Sequence, residues 1–256
     1  MKRTGARTVL TVSYLAVAVS ALPACSDLPD LPNGSAARAG APAEQRTGSP
    51  PQSKAKGRLF QAQDLGLLES PDRDEWEKPE QIMDAIGVAE GAVVAELGAA
   101  GGWFTLRLAR RVGPNGLVYA EDIQPAMLEA IGRRVRNESL GNVKPVLGTV
   151  TDPRLPAGID AILISDAFHE MDDPADPNQV VTLLKNAAQS LKADGRLGVV
   201  DWTPGAGGPG PGSDQRADPD VVIAKARSAG LQLLAREEIP PFVYLLVFGR
   251  ASARTP

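Results

Sequence analysis

Residues 92–109 read AVVAELGAAGGWFTLRLA. The apolar run Ala92 to Leu97 fits a strand buried on both faces. Gly98-Ala99-Ala100-Gly101-Gly102 breaks that run, and Trp103 to Ala109 resumes with helical spacing. A buried strand, a glycine turn and a helix open an α/β sheet, and the same alternation continues outward. Downstream, Gly113-Pro114-Asn115-Gly116 is a turn, Leu117 to Ala120 a second strand closed by Glu121-Asp122, and Pro125 opens a helix. Val143 to Leu147, Ala161 to Ser165 and Leu197 to Asp201 supply three more strands. Between the last two, Val180, Leu183, Leu184, Ala187, Ala188 and Leu191 fall on one helical face. A helix from about Asp218-Pro219 precedes a terminal pair, Leu231 to Leu234 and Phe242 to Phe248. Upstream, Ser70-Pro71 before Asp72, Asp74 and Glu75 reads as a capped helix start, and Pro79 to Ile86 as a short helix stopped by Gly87.

Strands alternating with helices predict an α/β, Rossmann-like sheet of seven strands with helices on both faces. It is mostly parallel. The last two strands are joined without a helix, so one terminal strand runs antiparallel.

Composition narrows the function. The 27 basic residues are balanced by 31 acidic ones, so the chain lacks the basic footprint of a nucleic-acid binder. The single histidine, His169, excludes a His-based metal cluster. The single cysteine, Cys25, excludes an internal disulfide and a multi-cysteine zinc site. The N-terminus reads as an address. Lys2, Arg3 and Arg7 precede an uncharged apolar stretch, Thr8 to Leu22, in the order of a secretory signal over residues 1–24. Leu22-Pro23-Ala24-Cys25 resembles the lipobox of bacterial lipoproteins, which implies lipidation at Cys25, export and a membrane tether. Ser26 after the cysteine points to the outer membrane. The alternative is an uncleaved N-terminal anchor. Residues 26–58 hold five Pro and four Gly, with only Leu28 and Leu31 as large apolar side chains. Such a stretch cannot bury enough surface to offset its ordering entropy. Residues 25–57 are therefore a linker, 58–250 the folded domain and 251–256 a tail.

In open α/β sheets ligands bind beyond the strand carboxyl ends. Three loops there carry candidates. The first is Glu96 with Gly98 to Gly102, whose glycines allow close backbone approach and whose helix offers free N–H groups. The second is Asp122, an acid placed to accept both hydroxyls of a ribose. The third is Ser165-Asp166-Ala167-Phe168-His169-Glu170-Met171.

The glycine spacing departs from the dinucleotide pattern G-x-G-x-x-G. Glu96, Gly98 and Gly102 instead match an acid, one residue, then Gly-x-Gly-x-Gly, with Ala100 at the middle glycine. With the terminal antiparallel strand, this resembles the class I S-adenosylmethionine (SAM)-dependent methyltransferases, over about residues 72–248 and including LKADGRLGVVDW around the fifth strand. The resemblance implies SAM as cofactor, Glu96 near its methionine amino end and Asp122 on its ribose. Thr149 stands where many members carry an adenine-contacting acid, and Asp152 is a possible replacement. Ser165 joins the cofactor set. Glu121, one position before Asp122, is expected to point the other way. His169 leads as the base, with Asp166 and Glu170 behind it. No metal site is expected. Trp103, Phe104, Phe168 and Trp202 are core or pocket wall, and Pro204 to Gly212 is either a mobile rim or a plain surface insertion.

The implied activity is methyl transfer to a small-molecule acceptor. The other reading is a catalytically degenerate lipoprotein that binds a nucleoside-like or other small ligand. Export separates the domain from the cytoplasm, where SAM is made. Three arrangements reconcile the two: an enzyme that meets SAM before or despite export, a binding protein without turnover, or a retained anchor with the domain facing the cytoplasm.

Overall fold

The computed structural model describes residues 59–251. The leader, Cys25 and the linker lie outside the described residues, as does the tail beyond Ala251. Among the described residues no helix is long and apolar enough to cross a membrane.

A 3-10 helix, Ala62–Leu68, comes first. Two short helices follow, α1 (Arg73–Glu77) and α2 (Pro79–Ala85). Then come β1 (Val93–Leu97), α3 (Trp103–Val112), β2 (Leu117–Asp122), α4 (Pro125–Asn137) and β3 (Val143–Leu147). The second half runs β4 (Ile159–Ser165), α5 (Phe168–Met171), α6 (Gln179–Ser190), β5 (Leu191–Trp202), α7 (Pro219–Ser228), β6 (Leu231–Ile239) and β7 (Val243–Arg250). The seven strands form one sheet in the order β3-β2-β1-β4-β5-β7-β6. β7 is antiparallel to both of its neighbours and every other pairing is parallel.

The expected sheet is therefore present, with one addition. The antiparallel strand is the last in the chain but not the last in the sheet, because β7 slots between β5 and β6. Sequence explains the placement. Val243 to Gly249 are buried without a break, whereas β6 carries Arg236, Glu237 and Glu238, and an outer strand tolerates charge. The opposite edge, β3, holds Pro145, whose missing N–H is harmless where no further strand pairs.

Alternation along the strands divides the core. Val94, Val118, Leu163, Val200 and Leu245 pack with Ile82, Met83, Phe104 and Leu108. Ala95, Leu97, Ile162, Ile164 and Leu246 pack with Val180, Leu184, Val222 and Ala226. One helix start differs from expectation. Ser70 does not cap α1; its hydroxyl bonds to Asp72, and the helix begins at Arg73.

The chain runs outward from β1 through β2 to β3, then returns across β1 to β4. The crevice at this reversal, beyond the carboxyl ends of β1 and β4, is where the fold places a ligand.

Candidate functional site

A cleft opens at that crevice, with about 1100 Å³ of open space including its mouth. Its floor is the glycine loop, and the loop hangs on the two acids that end β2. Gly98 N–H donates to Glu121 Oε2 at 3.4 Å and Ala99 N–H to the Glu121 carbonyl at 2.9 Å. Ala100 N–H donates to Asp122 Oδ2 at 2.9 Å. Gly102 N–H bonds to the Ala99 carbonyl. Four of the N–H groups expected to meet a ligand are thus already engaged within the protein.

Gly98 needs to be glycine. Its φ is +71°, and a Cβ there would lie 2.9 Å from both Ala167 Cβ and Met171 Cε. Ala100 adopts φ +46° despite its side chain, at a cost of about 1–2 kcal/mol. The strain is local to the residue whose N–H is aimed at Asp122.

Asp122 accepts one N–H on each oxygen, from Ala100 and from Gln124 at 2.9 Å. Each oxygen keeps a lone pair for a diol. Burial raises its pKa, against the backbone N–H bonds that favour the charged form. Glu96 is buried and lines the cleft, and Thr105 donates its hydroxyl to it. Burial pushes Glu96 up to about 8, against the Thr105 hydrogen bond and the Arg73 charge.

A second cluster stands at the end of β4. Arg73 is held against Glu77 and reaches Asp166 Oδ2 at 2.5 Å. Ser165 Oγ donates to Glu77 Oε1 at 2.7 Å. Asp166 lines the cleft at φ +52°, and its buried Oδ1 has no hydrogen-bond partner. Burial and the Glu77 charge raise its pKa well above the usual range, despite Arg73. The Arg73 guanidinium also lies 4.1 Å from the centre of the Trp103 ring.

The cleft therefore gathers Glu96, Gly98, Ala100, Asp122, Thr149, Ser165 and Asp166. Three expected residues lie outside its lining. Gly102 caps α3 at φ +82° and faces Ile131. Asp152 is exposed and accepts from Arg154 N–H in its own turn. His169 turns toward β5, its Nδ1 3.0 Å from Asp201 Oδ1 and its N–H 3.0 Å from Asp201 Oδ2. Burial alone would lower its pKa, but the Asp201 carboxylate outweighs burial and raises it. Trp103 and Phe104 line the cleft, while Phe168 and Trp202 are core.

Several cleft residues escaped the sequence reading. Arg73 lies in a segment whose sequence marks only a helix start, and Glu77, which holds it, is buried behind the lining. Glu121 was assigned to the far face by alternation, yet at the strand end it lines the cleft beside Asp122. Leu59, Phe60, Leu65 and Leu68 also line the cleft, and no local motif marks them. Pro204 to Gly212 forms an organised loop. Arg216 donates to the carbonyls of Pro211, Thr203, Ala206 and Gly207. Gly208 and Gly210 let that backbone lie against Phe242 and Trp202.

Comparison with known proteins agrees with this geometry. Residues 94–195 match a family model described as a methyltransferase domain. The chain is 28% identical over 125 residues to nocamycin O-methyltransferase of Saccharothrix syringae, covering 48% of this chain and 42% of that protein. It is 30% identical over 123 residues to a ubiquinone/menaquinone biosynthesis C-methyltransferase of Pasteurella multocida, covering 47% and 44%. It thus spans less than half the length of these curated relatives. A SAM-dependent methyltransferase from Aquifex aeolicus superposes with a TM-score of 0.68 at 24% identity, over 74% of this chain and 98% of that one. The described residues have a Rossmann-like methyltransferase fold, and residues 94–195 within them match a methyltransferase-domain model.

Proposed function

We propose that the chain binds SAM in this cleft and catalyses transfer of its methyl group to a small, largely apolar acceptor. The observation that carries the reading is Asp122. It ends β2 at the sheet's reversal point, is fixed by two backbone N–H groups, and keeps a free acceptor on each oxygen for the ribose diol. The residues around it fit the rest of the cofactor. Glu96, buried near the end of β1, offers a carboxyl oxygen to an ammonium. Gly98 and the glycine loop leave room for close approach.

Bound SAM supplies an electrophilic methyl group on a sulfonium. The protein's share of the reaction is alignment and proton removal. Asp166 is placed for the second task. Asp166 lines the cleft and its buried Oδ1 has no hydrogen-bond partner. Oδ1 takes the proton that an O–H or N–H acceptor sheds as it attacks. Arg73 holds the other oxygen and so fixes the carboxyl plane. His169 stands behind this group, against Asp201 and away from the cleft lining. The apolar acceptor follows from Leu59, Phe60, Leu65, Leu68 and Val150, which line the cleft.

The test is titration calorimetry of the full-length chain with SAM and S-adenosylhomocysteine. Micromolar binding that is lost in Asp122→Ala is the expected result. A folded protein that binds neither ligand at millimolar concentration overturns the proposal.

A further inference from the structure

The reaction as derived leaves one buried cleft acid without a task. Glu121 is 2% exposed. Its Oε2 receives only the 3.4 Å contact from Gly98 N–H, and its Oε1 has no partner. A buried acceptor left unsatisfied costs about 1–3 kcal/mol, so an unpaired oxygen in a ligand cleft signals a missing partner.

The surroundings are built to keep the carboxyl there. Gly148 lies directly over it, and a Cβ on residue 148 would stand 1.9 Å from Oε1. Gly148 is not at positive φ, so the absent side chain serves space and not backbone conformation. Burial and the neighbouring Asp122 charge push the Glu121 pKa up to about 8, so the group is protonated at neutral pH. A neutral carboxyl presents one donor and one acceptor in a plane, the same pair that a glutamine amide presents to adenine.

Position indicates what it faces. β2 and β3 pair with Asp122 opposite Leu147, so residues 148–150 stand immediately beyond the ribose-binding acid. The two residues first expected to read the base there are otherwise occupied. Thr149 Oγ1 accepts from Asp152 N–H at 3.0 Å and lies 3.3 Å from the Asp152 carbonyl. Asp152 is exposed and bonded within its turn. Ile123 and Val150 line the cleft without polar side chains.

We infer that Glu121 is the base-reading residue of the cofactor site, its carboxyl accepting from the exocyclic amine of adenine and donating to a neighbouring ring nitrogen. The inference rests on SAM as the cofactor. It assigns the specificity for adenine to β2 and not to the loop after β3.

The test compares S-adenosylhomocysteine with its analogue bearing unsubstituted purine, which lacks the exocyclic amine. Binding to the full-length chain is measured by calorimetry, with folding followed by circular dichroism. The native protein is expected to prefer the adenine ligand by about tenfold or more, as one buried hydrogen bond implies. Glu121→Gln keeps donor and acceptor and retains the preference. Glu121→Leu abolishes it, and Gly148→Ala, which displaces the carboxyl without changing any charge, does the same. If Glu121→Leu does not fold, Gly148→Ala decides. An undiminished preference in the folded Leu and Ala variants overturns the assignment while leaving SAM binding intact. A native chain that binds neither ligand overturns both.

Discussion

Glu96 shows how a buried acid in the cleft ties the stability of the fold to pH. Burial raises its pKa from the ordinary 4.5 to about 8, the Thr105 hydrogen bond and the Arg73 charge opposing. Between those values the folded chain holds a proton that the unfolded chain has released. The contribution to stability is therefore complete below about 4.5 and is lost as pH rises through about 8. Glu121 titrates over the same window and His169, also raised, adds the same sign. The slope is at most about 1.4 kcal/mol per pH unit for each group. Urea unfolding of the native chain is expected to show falling stability between pH 5 and pH 8. Glu96→Gln, which cannot ionise, should remove one group's share of that slope. Equal slopes in the two proteins would show that Glu96 is not held protonated. The placement of Glu96 and Asp122 in the cleft was legible because each stands at the carboxyl end of a strand near the glycine loop. Glu121 was not, because side-chain alternation along a strand predicts facing and says nothing of a carboxyl that curls around the strand's end beneath a glycine.

The loop between β5 and α7 teaches the corresponding lesson for an element. Its sequence, PGAGGPGPG, permits no regular structure, and from those nine residues a mobile rim and a fixed insertion are equally readable. The deciding side chain lies outside the stretch. Arg216 binds four of the loop's carbonyls, and its guanidinium lies 5.6 Å from the centre of the Trp202 ring. Only a planar group with several donors can make that set of contacts. Arg216→Ala is expected to destabilise the chain by about 1–3 kcal/mol and to open residues 203–212 to protease. Arg216→Lys should restore little of either. Cutting at the native rate in Arg216→Ala would show that the glycines resting on Trp202 and Phe242 suffice to hold the loop. The order of β6 and β7 follows a similar rule. The hairpin itself was legible from the short connection, whereas which strand lies inside depends on the unbroken burial of β7 and the charges on β6, a comparison between elements.

At the scale of the whole molecule, the chain's first described segment closes the site that its centre creates. Phe60 N–H donates to Glu170 Oε2 at 3.1 Å and the Phe60 carbonyl accepts from Gln124 Nε2 at 3.0 Å. Glu69 pairs with Arg134, and Leu65 packs on Gly101, where a Cβ would lie 3.0 Å from Leu65 Cδ2. Residues 59–69 thus span from α5 to α4 across the mouth, fastened at both sides and burying no residue fully. Such a segment is held by a few polar contacts and not by a core, so it opens at lower cost than the sheet beneath it. Ligand release through this mouth is expected to require those contacts to break first. Replacing both Glu170 and Gln124 by Ala removes two hydrogen bonds, about 2 kcal/mol in all. S-adenosylhomocysteine should then leave up to about thirtyfold faster in stopped-flow displacement, and amides 59–69 should lose their protection from hydrogen exchange in the complex. Since Asp122 and the glycine loop are untouched, association should change less than dissociation. An unchanged release rate with the same loss of amide protection would show that the ligand leaves without moving the segment, and that residues 59–69 shape the mouth without gating it.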